Sequence, residues 1–162
     1  MSIAANTYAY RRHLPHLVRA DAMYAVAFCT RNRAILPPGA RTLTLASCVY
    51  DHEKICWLDC AVVMPDHVHL ILMPYEQTTL PKVLARIKGA SSYFINRLLN
   101  RRESTWQDES FDRIVRSAES LTKKRDYLFN NPVRAGLVTH WQDYPWIWYS
   151  GRNGTTGSQP VE

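Results

Sequence analysis

The sequence predicts an α+β domain of ferredoxin-like, split βαβ design: an antiparallel sheet with helices packed on it, and an additional C-terminal helix carrying Tyr127. Three observations lead there. Segments of strand composition and segments of helical spacing follow one another as strand, helix, strand, strand, helix, strand. The two middle strands are separated only by Pro65-Asp66, which is the signature of a tight hairpin. A mainly polar helix with a clear N-cap follows the last strand.

The elements are justified in order. Residues 1–20 form a basic arm with Tyr8, Tyr10, Arg11, Arg12 and Arg19 but no helix or strand period. Residues 22–30 (AMYAVAFCT) are rich in strand formers and end at the polar turn Arg31-Asn32-Arg33. After the Pro37-Pro38-Gly39 loop, Leu43, Ala46, Val49 and Tyr50 recur at helical spacing to about His52. The apolar runs 55–64 and 67–73 are the hairpin strands. A second helix spans about 80–99, and 106–115 contains a short fourth strand. The last helix starts at Ser117, with Glu119 in its first turn, and stops at Asn131-Pro132, because a residue before proline disfavours helical geometry. Gly136 marks the next turn. Trp141, Tyr144, Trp146, Trp148 and Tyr149 then form an aromatic cluster expected to pack on the sheet, and 151–162 reads as a flexible tail. Residues 21–150 thus make one domain.

Composition narrows the function. At 162 residues and 46% hydrophobic content the chain can bury a core. The longest apolar stretch is broken by Pro65, Asp66, His67 and His69, so no membrane span is expected, and the N-terminus lacks a secretory apolar core. These features predict a cytoplasmic, nucleoid-associated protein. Cys29, Cys48, Cys56 and Cys60 show no CxxC pairing and read as reduced packing residues. The net charge of +6 is unevenly distributed: Lys82, Arg86, Lys88, Arg97, Arg101 and Arg102 lie in a segment with no acidic residue. A solvated helix face normally mixes both signs, so this segment favours a nucleic-acid partner, with Lys82, Arg86, Lys88 and Arg97 contacting phosphates and Arg11 and Arg12 adding to them.

The chemistry concentrates in PDHVHLIL, residues 65–72. Alternation in a strand puts His67 and His69 on one face and Val68, Leu70 and Leu72 on the other. Two neighbouring imidazoles suit a divalent metal, although a bare HxH also occurs as two separately hydrogen-bonded histidines. On the last helix Tyr127 and Asn131 are four apart and share a face, with Lys123 and Lys124 one turn earlier. Without context, that tyrosine is an ordinary half-exposed aromatic.

Four stretches together give it context. PDHVHLIL, KGASSYFINRLLNRRESTWQDESFDRIVR, RDYLFNNPVRAGLV and DYPWIWYS resemble, in order, the REP-associated tyrosine transposases, which are relatives of the single-strand transposases of small bacterial insertion sequences. The resemblance runs from about Tyr24 to Ser150 and departs from the family where DYPWIWYS replaces the small serine pair usual after YPW. It implies a metal held by His67 and His69, completed by Asn131, and a nucleophile, Tyr127, five residues before Pro132. It also implies the substrate, single-stranded DNA with hairpin-forming palindromes, and a reaction that leaves a 5′-phosphotyrosine and a free 3′-hydroxyl. A phenol of pKa about 10 needs help to attack at neutral pH, a role expected of Lys123, Lys124 or the metal. Imidazole ligands favour Mn2+, and the resemblance allows Mn2+ or Mg2+. Monomer and homodimer both fit. Two rival classes also fit the residues: a catalytically silent hairpin-binding protein derived from a transposase, and a two-histidine iron or phosphoesterase enzyme acting on a small molecule.

Overall fold

The computed structural model describes residues 22–151. The basic arm with Arg11 and Arg12, and residues 152–162 of the tail, lie outside the described residues. In chain order the elements are β1 (Met23–Cys29), α1 (Pro38–Tyr50), β2 (Cys56–Val63), β3 (His67–Pro74), α2 (Leu80–Leu98), β4 (Phe111–Val115), α3 (Ala118–Phe129), α4 (Asn131–Arg134) and β5 (Ile147–Tyr149).

The strands form one sheet in the order β4-β1-β3-β2-β5, with every neighbouring pair antiparallel. Its first four strands are the predicted ferredoxin-like arrangement. The addition is β5, which the sequence presents only as an aromatic cluster. At three residues it is too short to show alternation, yet Ile147, Trp148 and Tyr149 pair with Val62, Ala61 and Cys60.

Alternation gives the sheet two apolar faces. On one, Val68, Leu70 and Leu72 of β3 join Tyr24, Val26 and Phe28 of β1 beneath α1 and α2, which contribute Leu45, Cys48, Val83, Leu84, Ile87 and Ile95. Each aliphatic side chain buried there contributes roughly 1.5–3 kcal/mol. The other face, carrying Ala25, Cys60, Val62 and Ile71, is covered by Leu128 and Phe129 of α3 together with Tyr144. Tyr144 anchors the C-terminal segment by donating its hydroxyl proton to the Val63 carbonyl at 2.6 Å.

Leu58 and Cys60 are two apart and should share a face, but Leu58 belongs to the first core and Cys60 to the second. A bulge between them causes the switch and leaves the Asp59 carboxylate facing α3. Arg125 of α3 answers with Nε to Oδ2 at 2.9 Å and Nη2 to Oδ1 at 2.6 Å. The helix begins as expected, with the Ser117 hydroxyl accepting from the Ser120 amide. It ends one residue before Asn131, at an Asn130 cap, and the chain resumes as the single turn α4 with Pro132 in its first turn. Gly136, at φ +75°, supplies the turn that follows.

Candidate active site

β3 opens at His67, so His67 and His69 project from the first turn of the hairpin onto the α3 face. Ala27 lies opposite His69 on β1, and this small residue leaves room above the strand. The two imidazole centroids are 4.9 Å apart with their planes at 86°. Asp66 holds the first ring through a 2.7 Å contact between Oδ1 and His67 Nδ1. Arg33 in turn donates from Nε to Asp66 Oδ2 at 3.0 Å and from Nη1 to Cys29 Sγ at 2.7 Å. Its backbone, like that of Asn32, occupies the left-handed region, at φ 53° and 57° respectively, a conformation non-glycine residues adopt at some cost.

Burial raises the Asp66 carboxyl, but the hydrogen bond and charge of His67, with those of Arg33, outweigh it and hold the group below its usual range. An ionised Asp66 only accepts, so Nδ1 of His67 carries a proton toward it and Nε2 is the ring nitrogen turned toward Asn131. His69 is pushed down to about 4, first by burial and then by the charges of His67, Lys124 and Arg134. It is neutral at pH 7 and has a lone pair to offer.

The third donor comes from beyond α3. Asn131 Nδ2 stands 3.5 Å from His67 Nε2, and turning the amide over presents its oxygen instead. Among the described residues no cluster of three His, Cys, Asp or Glu side chains could hold a metal. The residues that could hold a metal here are thus His67, His69 and, with its amide turned, Asn131, a donor set of two nitrogens and one oxygen of the kind a borderline divalent ion takes.

Tyr127 is exposed, one turn before Asn131 on the same side of the chain. The Arg134 guanidinium lies 3.9 Å from its ring centre and Lys124 Nζ 5.3 Å from it. Arg134 Nη2 also donates to the Tyr127 carbonyl at 2.9 Å. The structure thus brings Lys124, Arg134 and Asn131 to the histidine face, with Tyr127 beside the two cations.

Other expected site residues lie elsewhere. Lys123 pairs in solvent with Glu119 at 2.9 Å. Lys82, Arg86, Lys88 and Arg97 belong to α2, on the opposite face of the sheet from the histidines. Lys82 is exposed. Arg86 gives Nε and Nη2 to the buried Asp51 at 2.7 and 2.9 Å, and Lys88 Nζ donates to the carbonyls of Gln107, Asp108 and Glu109. Arg97 donates to the Tyr93 hydroxyl at 3.1 Å. Two of these four cations are thereby engaged in holding the fold.

Three functional positions escaped the sequence reading. Asp66, adjacent to His67 in a turn, carried a readable signal. Arg134 lies past Pro132, where the helix was expected to have ended, and nothing in the spacing links Arg33 to Asp66.

Residues 19–131, more than half of the chain, match the family model described as Transposase IS200 like. A Haemophilus influenzae protein carrying the provisional name REP-associated tyrosine transposase is 26% identical over 96 residues, which is 52% of this chain and 53% of that protein. Among solved structures, a REP-associated tyrosine transposase bound to a REP hairpin superposes with a TM-score of 0.62 at 16% identity, covering 90% of this chain and 95% of the other. A bacterial tRNA(His) guanylyltransferase-like protein in complex with GTP shares the fold at a TM-score of 0.54 and 10% identity, covering 91% of this chain and 85% of that one. No helix of the described residues is long and apolar enough to cross a membrane. With the family model spanning β1 through the helix that bears Tyr127, the chain belongs to the IS200-like transposases.

Proposed function

We propose that this chain is a metal-dependent, single-strand DNA nuclease and strand transferase that acts beside hairpin-forming palindromes through a 5′-phosphotyrosine intermediate. The observation that carries the reading is the approach of Asn131 to His67 at 3.5 Å: it lays the end of the tyrosine helix over the histidine pair within one chain.

In the reaction the Tyr127 oxygen attacks a backbone phosphorus, a bond from phosphorus to the tyrosine oxygen forms, and the bond from phosphorus to the 3′-oxygen breaks. More exactly, the phosphate keeps its 5′-oxygen, gains Tyr127 and releases the 3′-oxygen, which takes up a proton as the phenol loses its own. His67, His69 and Asn131 would hold Mn2+ or Mg2+, which when bound supplies Lewis-acid polarisation of the phosphate. Asp66, bonded to Nδ1, keeps Nε2 of His67 aimed at that position. Lys124 and Arg134 put positive charge beside the ring, where the anionic phosphate must sit. Hairpin DNA as substrate is supported by the solved REP-associated relative, which is bound to one.

The test is a denaturing gel of end-labelled, hairpin-bearing single-stranded DNA from the flanks of the gene, with manganese or chelator. A covalent adduct formed by the wild type with metal, and absent for Tyr127→Phe, is the expected result. If both proteins bind the hairpin and neither forms an adduct, the protein is a binding module without chemistry.

A further inference from the structure

Between α3 and the β1–β4 edge of the sheet, directly beside His69, lies a cleft of about 280 Å3. Phe111, Ala27 and His69 are cross-strand partners in a single row. Strands lie about 4.8 Å apart, so the Phe111 and His69 backbones are roughly 10 Å from one another, and only a methyl group stands between their side chains. Phe111 is 62% exposed on the outer strand, although it points to the same face as the buried Ala25 and Ile71. Arg113, two residues along β4 and so on that same face, lines the cleft together with Lys124 from α3. No carboxylate of the described residues pairs with either cation.

An exposed flat ring invites a planar partner, and two cations without counter-ions invite an anion. A nucleotide of single-stranded DNA is both. The geometry points to a base-stacking subsite in this cleft: Phe111 takes the face of the base adjoining the scissile phosphate, and Arg113 and Lys124 take the neighbouring backbone. This rests on the single-strand DNA reading given above, and it adds a residue that grips the strand by its base. Stacking tolerates any base, so the subsite positions the strand without reading its sequence. Its site on a short outer strand, two strands from His69 and flanked by the tyrosine helix, sets the nucleotide close to the reacting phosphate.

The experiment is a binding cycle in the Tyr127→Phe background, read by fluorescence anisotropy with a labelled oligodeoxyadenylate and with a fully abasic strand of equal length. Phe111→Ala is expected to weaken adenylate binding about 10-fold and leave the abasic strand unaffected, while Phe111→Trp keeps wild-type affinity. Equal losses on both strands, no loss on adenylate, or a Trp variant as weak as the Ala variant each overturn the subsite. The adduct gel reports separately on the chemistry: if Tyr127→Phe still forms adducts while the cycle holds, the nucleophile assignment falls and the subsite stands.

Discussion

Replacing Arg125 by Met should loosen the tyrosine helix without unfolding the sheet. Only Leu128 and Phe129 of α3 are buried, so its apolar attachment is small. The rest of its docking rests on Arg125 and Asp59, whose side chains are 33% and 7% exposed. Removing one member of a buried pair typically costs 3–5 kcal/mol, because the other charge is left without a partner. Water reaches the partly exposed Arg125 end, so the lower value, about 3 kcal/mol, is the expectation here. At 1.4 kcal/mol per factor of ten, α3 should open about a hundredfold more often. Native-state hydrogen exchange resolves this: amides of 118–129 should exchange about a hundredfold faster, with those of β3 unchanged. Pairing Arg125→Met with Asp59→Asn should recover much of the loss, since no buried charge then remains. Protection of α3 within about threefold of wild type in the single variant would refute the argument that this ion pair, rather than apolar burial, holds the helix.

Two further predictions concern the histidines. Asp66→Asn leaves His67 without an anionic partner at Nδ1, and manganese affinity measured by calorimetry should fall 10–100-fold, as for other such outer partners; an unchanged affinity would show that Asp66 does not orient the ring. The metal-free protein should lose stability in acid. His69 is held at about 4 in the fold against 6.5 in the unfolded chain, so the unfolded state takes the proton first. The contribution is fully present above pH 6.5 and is lost as the pH falls toward 4, by about 3 kcal/mol at 1.36 kcal/mol per unit. Urea midpoints measured with chelator should show this fall, and His69→Gln should remove it.

Much of the site was legible because it follows from local periodicity. Alternation in PDHVHLIL fixes which side His67 and His69 face, and the spacing of four fixes Tyr127 beside Asn131. The N-cap at Ser117 was readable for the same reason. What escaped depends on tertiary placement. Charge counting along 82–102 correctly found a basic helix, but not that Arg86 faces Asp51, that Lys88 binds carbonyls, or that the helix lies behind the sheet. Likewise Lys123 and Lys124 are neighbours in sequence, and only packing shows that one reaches the histidines while the other meets Glu119. The bulge at Asp59 gives no signal in composition, since it is the mismatch of two strands.

The early stop of α3 at Asn130 also has an electrostatic consequence. Tyr127 sits in the last turn of its helix, at the end where aligned peptide dipoles gather the equivalent of about half a negative charge. That field opposes any phosphate approaching the phenol. By folding back through α4, the chain returns Arg134 to the Tyr127 carbonyl and ring together, so a single guanidinium caps that carbonyl and sets a full positive charge against the helix's negative pole. On the nuclease reading proposed above, the break in the helix is thus what fits its negative pole to a polyanionic substrate.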